Sequence, residues 1–305
     1  MPDPTPTFQL TWGWLVVVYL FIAGVGAGAY LTSWWARLRG LDERVARMGR
    51  YLAAPLVVFG TALLFFDLGA GLHNPLRVIW LFAHPTSIMT LGTWILVIFV
   101  ILSIIETYVP LVLRKFRNIE VKIPAWVGVV TAVFAVFVMV YTGLLLGVVG
   151  AVPFWNSAVL PVLFAASAIS TGMAATLGAV ILTSRSSEGM ERFGGAHIAF
   201  LGIEAALMGL FLFFAATSQD NPARFSFAAV IGGDFAVAFW LGFLIIGLVI
   251  PLVYNLAARQ EKLGKALHSP VMVLVECACV LIGGYLLRYL VVAAGSFGHV
   301  FVSVG

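Results

Sequence analysis

Two phenols, Tyr19 and Tyr141, a carboxylate, Asp67, and a guanidinium, Arg288, sit inside long apolar stretches of a 305-residue chain. Polar and ionisable groups are expensive in such surroundings, and where they occur they mark candidate functional sites. A phenol donates a hydrogen bond to a carbonyl oxygen and accepts one from a hydroxyl. A carboxylate takes up or releases a proton. The chemistry these types suit is reversible hydrogen bonding and local proton exchange with a small molecule in an apolar setting. Three more carboxylates within the stretches, Glu204, Glu276 and Glu106, extend the inventory, with Asp234.

The elements that must position these groups are eight apolar stretches: Trp12–Ala36, Tyr51–Leu72, Thr86–Val109, Pro124–Val149, Ala158–Leu182, Ala196–Thr217, Ile231–Leu256 and Pro270–Ala294. A helix needs roughly 20 apolar residues to cross a bilayer. Strands would show weak alternating segments of about ten residues, whereas these stretches are continuous and longer. The composition agrees, at 62% hydrophobic and 10% charged with mean hydropathy +1.07. The expected fold is an all-α integral membrane protein of eight transmembrane helices. Residues 1–305 form a single transmembrane domain, with two four-helix halves suggested at 12–149 and 158–294. Small residues recur where helices can approach closely: Gly24, Gly26 and Gly28, Gly172 and Gly178, Gly283 and Gly284.

The net charge of +4 does not point to nucleic acid, because the charge is sorted by loop. The connections after the first, third, fifth and seventh stretches hold 14 of the 17 Lys and Arg. Positive loops stay in the cytoplasm. Both termini are therefore expected outside a prokaryotic inner membrane, and the even number of spans agrees. Met1 to Thr11 carries no Lys or Arg, so the basic start of a cleaved signal peptide is missing and the first span is expected to be retained. The outer loops carry turn residues and aromatics, Trp80 and Trp155 among them, which read as interfacial anchors.

With that orientation, helix rise gives depths. Tyr19, Tyr141 and Asp67 fall about 10, 12 and 8 Å inside the outer boundary. Arg288 and Asp234 share that outer half, Glu204 lies near mid-depth, and Glu276 and Glu106 lie nearer the cytoplasm. Phenols and a carboxylate at one depth suit a membrane-soluble quinone, whose two carbonyl oxygens become hydroxyls on reduction. Two alternatives stand beside this. Tyr19 and Tyr141 are also explained as aromatics bonded to neighbouring backbone, and Asp67, Glu204 and Arg288 as members of structural ion pairs.

The five histidines, His73, His84, His197, His268 and His299, fall in loops or at span ends. A transmembrane haem needs axial ligands within facing helices, and no C-x-x-C-H motif is present. Cys277 and Cys279 lie two residues apart, on different helix faces, and read as small apolar residues. No haem and no metal are expected. His84, before Pro85 at the outer mouth, is a further head-group candidate, with an ordinary loop residue as the alternative.

These elements resemble the NrfD-like membrane subunits typified by the polysulfide reductase membrane anchor. The matching residues are Trp14 with Tyr19 to Gly28 (YLFIAGVGAG), Phe66 to Gly69 (FDLG), His84 to Ser87 (HPTS), Tyr141 to Gly147 (YTGLLLG), Pro153 to Asn156 (PFWN), Leu160 to Phe164 (LPVLF) and Gly283 to Gly295 (GGYLLRYLVVAAG). Where the family pattern carries a histidine and an asparagine on the first helix, this chain has Tyr19 and Val16. The resemblance implies a membrane subunit of a respiratory oxidoreductase, as in anaerobic respiration. Such a subunit exchanges electrons between menaquinone or ubiquinone and an iron–sulfur, ferredoxin-like partner beside a molybdopterin or multihaem catalytic subunit. It implies that Tyr141 and polar groups on the first helix hold the quinone head. Asp67 would exchange protons locally, and Glu204, Arg288 and Glu276 could form a route toward the cytoplasm. The rival classes are a secondary transporter or ion channel, and a purely structural anchor.

Overall fold

The computed structural model describes residues 13–67, 87–185, 189, 191–260 and 269–303, with side chains up to 66 in the first segment and up to 296 in the last. All described elements are helices: α1 Trp14–Leu38, α2 Glu43–Asp67, α3 Ile88–Arg117, α4 Ala125–Gly147, α5 Val159–Ser184, α6 Glu191–Thr217, α7 Asn221–Gly232, α8 Ala238–Ala258 and α9 Pro270–Ser303. Eight of them, all but the short α7, are long and apolar enough to cross a membrane. The chain is a multi-pass membrane protein.

Several helices run past the apolar stretches at the end that carries the basic loops. α1 continues through Arg37, α3 through Arg117, and α6 begins at Glu191. Helix C-termini attract cations and N-termini attract anions, which stabilises these polar turns. Thus α3 ends in Arg114, Lys115 and Arg117, and α2 and α6 open with Glu43 and Glu191. Asn118 and Arg185 close α3 and α5 in the left-handed conformation, each at φ 52°.

The seventh stretch departs from expectation. Instead of one helix from Ile231, the chain forms α7, breaks at Gly233 and Asp234, and resumes at Ala238 with π-winding to Val249 before continuing as α-helix from Ile250. Asp234 therefore lies exposed at the break and not within a span. Pro222 starts α7 where a missing N–H costs nothing. The consecutive glycines, Gly232 and Gly233, weaken helix where the chain turns.

α1 and α5 are the central helices. Their most apolar windows are 72% buried, against 28% for α2 and α3 and 22% for α8. α1 packs on α2, α4, α5 and α9, while α5 packs on α1, α2, α4, α6 and α9. The two cross at Gly28 and Gly172. A methyl at Gly28 would lie 1.9 Å from the Ala168 carbonyl oxygen, and one at Gly172 would lie 2.2 Å from the Gly28 carbonyl carbon. Only glycine permits that approach, and in lipid, tight packing replaces the hydrophobic force between helices.

Trp155 was expected at the lipid interface but is only 1% exposed. Its indole N–H donates to the Val291 carbonyl at 2.7 Å, tying the α4–α5 connection to α9. An indole whose N–H finds a buried acceptor has no need of the headgroup region.

Candidate functional site

Tyr19 arises on α1 and Tyr141 on α4, 0% and 2% exposed respectively. All four of the first helices position them. The Tyr19 ring lies against Gly60 of α2, where a methyl would stand 3.6 Å from its Cδ2. The Tyr141 ring rests on Gly92 of α3, where a methyl would come within 1.7 Å of Cζ and 2.2 Å of the hydroxyl. Gly92 is thus a seat for the phenol, and no larger residue could stand there without displacing it. The Tyr19 hydroxyl is buried and has no hydrogen-bond partner within the described protein. An unpaired buried donor costs about 1–3 kcal/mol, so this hydroxyl is an unusual thing to keep unless something bonds it. Among the described residues no backbone group bonds the Tyr19 hydroxyl, as the structural alternative would require.

Asp67 ends α2 and His84 follows in the next connection. The Asp67 side chain and the whole of His84 lie outside the described residues.

Arg288 is fully buried on α9 and reaches across to α1 and α5. Its Nε donates to the Leu20 carbonyl at 3.2 Å, and one terminal nitrogen donates to Ser167 Oγ at 3.1 Å and to the Gly284 carbonyl at 2.7 Å. The rings of Phe21 and Phe164 lie 5.6 and 5.3 Å from its guanidinium carbon. Among the described residues no carboxylate comes within ion-pair distance of it. Carbonyls, a hydroxyl and aromatic faces hold the charge instead, with Glu204 contributing at longer range. Leu20, whose carbonyl Arg288 bonds, follows Tyr19 in the chain.

From Arg288 a series of buried polar groups leads toward the basic end. Ser167 and Ser170 both face Glu204 from α5, and the Ser170 hydroxyl donates to Glu204 Oε2 at 2.8 Å. Two turns back on α6, on the same face, stands His197, about 10 Å away along the axis. Its Nδ1 meets Glu276 Oε1 at 3.0 Å, and Asn255 Nδ2 donates to the same oxygen at 3.0 Å. His197 also feels the Glu204 charge. His197, Glu204, Glu276 and Asn255 are between 1% and 8% exposed.

The largest correction to the sequence reading is His197. It looked like a span-end residue because the apolar stretch begins at Ala196, yet α6 starts at Glu191 and carries His197 inside. A second cluster was missed at the basic end of α1. Tyr30 donates a hydrogen bond to Glu106, which also pairs with Arg37 at 2.7 Å. Arg37 read as a loop residue but belongs to α1. Tyr30 carried no signal distinguishing it from any other aromatic in a span. Among the described residues no group of three His, Cys, Asp or Glu could hold a metal ion.

The family model described as polysulphide reductase, NrfD, matches residues 4–299. A polysulfide reductase polypeptide of Wolinella succinogenes is 30% identical over 94% of each sequence. Protein NrfD of Escherichia coli is 27% identical over 94% of this sequence and 95% of its own. A selenate reductase polypeptide of Mesobacillus selenatarsenatis, named as one of that enzyme's subunits, is 22% identical over 84% of this sequence and 69% of its own. A match over nearly the whole length, on an eight-span helical bundle, places this protein in the NrfD polysulphide reductase family of membrane subunits.

Proposed function

We propose that this protein is the membrane subunit of a respiratory oxidoreductase complex. It binds a quinone among α1–α4 and exchanges electrons with an iron–sulfur partner subunit. That partner docks at the end remote from the basic loops, next to a molybdopterin or multihaem catalytic subunit. The observation that carries this reading is two buried phenols set among the first four helices, Tyr141 seated on Gly92 and Tyr19 with a hydroxyl that finds no partner within the described protein. Two of the relatives are named as single polypeptides of polysulfide reductase and of selenate reductase, which supports a place in a multi-subunit reductase.

The residues fit a quinone head. It presents two oxygens, and two phenolic donors at one depth can serve one each. When bound, menaquinone or ubiquinone supplies two-electron, two-proton chemistry. Tyr141 fixes one oxygen, with Gly92 setting the ring's position. Tyr19 bonds the other. Arg288 bonds the Leu20 carbonyl and holds positive charge against α1, with no carboxylate within ion-pair distance among the described residues. Asp67 and His84 remain candidates for proton exchange and head-group contact. The first four spans then form a quinone-binding half, and the later spans a second half containing Glu204 and Glu276. The buried series from Arg288 to Asn255 supports a proton route toward the basic end. The sorting of 14 of the 17 cations to one end favours an inner membrane location with both termini outside.

The test is Tyr141→Phe in the assembled complex. The ring's packing survives and its donor is lost, so quinone-dependent turnover should fall at least about tenfold, the scale of one hydrogen bond to a developing charge. Turnover equal to that of the parent would remove Tyr141 from the site. The rival reading as a secondary transporter calls for a matched pair of interrupted helices. Substrate flux through the isolated protein in liposomes, without redox partners, would favour it.

A further inference from the structure

The basic end of α2 and α3 carries a groove that the quinone reading leaves unused. A cavity of about 600 Å³ there is lined by Arg47, Arg50, Arg114 and Lys115, together with Tyr51 and Leu111. A smaller cavity of about 220 Å³ lies on the other flank of α2 and shares Arg47 and Tyr51. Four cations so close repel one another, and the described protein does little to neutralise them. Glu106 borders the larger cavity but is already paired with Arg37 and bonded by Tyr30. Arg50 donates to the Ala46 carbonyl. Arg47 approaches only Glu43, at 3.7 Å, with both side chains mostly in solvent. No carboxylate lies within ion-pair distance of Arg50, Arg114 or Lys115 among the described residues.

The walls below the cations are apolar and uncovered. Tyr51 and Leu111 are 37% and 43% exposed, and the faces of α2 and α3 continue toward mid-bilayer with Val58, Phe59, Ile101 and Ile104, all exposed. A cationic mouth above an apolar wall fits a molecule with an anionic head and long hydrocarbon chains. Basic pockets between transmembrane helices are suited to such head groups. A free anion would satisfy the cations but leave the wall unexplained. We propose that this groove holds an anionic phospholipid, its phosphate met by Arg50, Arg114, Lys115 and Arg47, its acyl chains lying along α2 and α3. Tyr51 stands between the two cavities, where an amphipathic ring separates head from acyl tail. The site is independent of the quinone reading and lies at the other end of the bundle.

The experiment uses the full-length protein in neutral detergent micelles. It is titrated with phosphatidylglycerol, with phosphatidylcholine of the same acyl composition, or with inorganic phosphate. Retained lipid is read by native mass spectrometry and stability by the melting midpoint. Phosphatidylglycerol should stay bound and raise the midpoint, while the other two should not. Each exposed cation near a membrane surface changes affinity about fivefold, so Arg114→Gln with Lys115→Gln should weaken retention more than tenfold. The swap Arg114→Lys with Lys115→Arg should keep it, and Arg224→Gln at the opposite end should leave it unchanged. Equal retention of phosphatidylcholine, undiminished retention in the double glutamine variant, or an equal stabilisation by inorganic phosphate would each overturn the proposal.

Discussion

At the scale of single residues, Gly92 fixes where the Tyr141 ring can stand, and under the proposed function that makes it a positioning residue. The Tyr141 ring fills the space where any side chain on Gly92 would go. The ring is the far end of a side chain with two torsions and can swing away, so Gly92→Ala should leave the melting midpoint nearly unchanged. Quinone-dependent turnover should drop about a hundredfold, the scale set by a misplacement of roughly 1 Å in a reacting geometry. Parallel measurement of melting and turnover checks this, and a large loss of stability with normal turnover per folded molecule would contradict it. The phenols themselves were legible in the sequence, because depth along a helix follows from residue count. Gly92 was not, since nothing in a single sequence says that a glycine on α3 faces a tyrosine on α4. His197 was hidden for a related reason. Its partner Glu276 lies on another helix, and the residues preceding it, through Glu191, are too polar to extend an apolar stretch.

At the scale of elements, hydropathy located all eight spanning helices but not their polar ends. The ends are decided by capping and by helix-end electrostatics, which hydropathy does not see. Asp42 is a case. It precedes α2, accepts a bond from the Arg44 backbone amide at 2.7 Å, and pairs with the Arg44 guanidinium at 2.7 Å. The Arg44 guanidinium beside it holds the Asp42 carboxyl below the usual carboxylate range. A carboxyl whose value is lowered on folding stabilises the folded state above its unfolded value, about 3.9. That stabilisation is lost as the pH falls through the lower folded value. Asp42→Asn keeps a capping oxygen but removes the charge, so it should cost about 0.5–1 kcal/mol at neutral pH. Asp42→Ala should cost about 1 kcal/mol from the cap alone, plus the ion pair. Melting curves in detergent between neutral pH and pH near 3 should show the gap between the parent and the Asp42→Asn variant closing only in acid. A gap independent of pH would mean that the ion pair contributes nothing. The break between α7 and α8 was likewise written in the sequence, as Gly232-Gly233-Asp234, but the surrounding apolar residues outweighed it in a window average.

At the scale of the whole molecule, the buried polar groups fall into two sets on either side of the α1–α5 crossing. The phenols lie among the first four helices. Arg288 spans from α9 to the Leu20 carbonyl on α1 and to Ser167 on α5, so it links the residue that follows Tyr19 to the series running through Ser170, Glu204, His197, Glu276 and Asn255. Two readings of that series make different predictions. If it only braces the helices, Glu204→Gln keeps the size and one acceptor for Ser170. Both electron transfer and any coupled proton movement should then persist. If it conducts protons, Glu204→Gln removes a group that must take up and release one, and His197→Gln removes the next. Reconstituted vesicles containing the whole complex separate the two. Quinone-dependent electron transfer should continue at a rate within about twofold of the parent when the gradient is collapsed with an uncoupler, because the two phenols are untouched. Proton movement per electron should fall by about tenfold or more in either variant, the range typical for loss of a positioned acid or base. Unaltered proton movement in Glu204→Gln would assign the buried series to packing, and loss of electron transfer in step with proton movement would place Glu204 within the quinone chemistry itself.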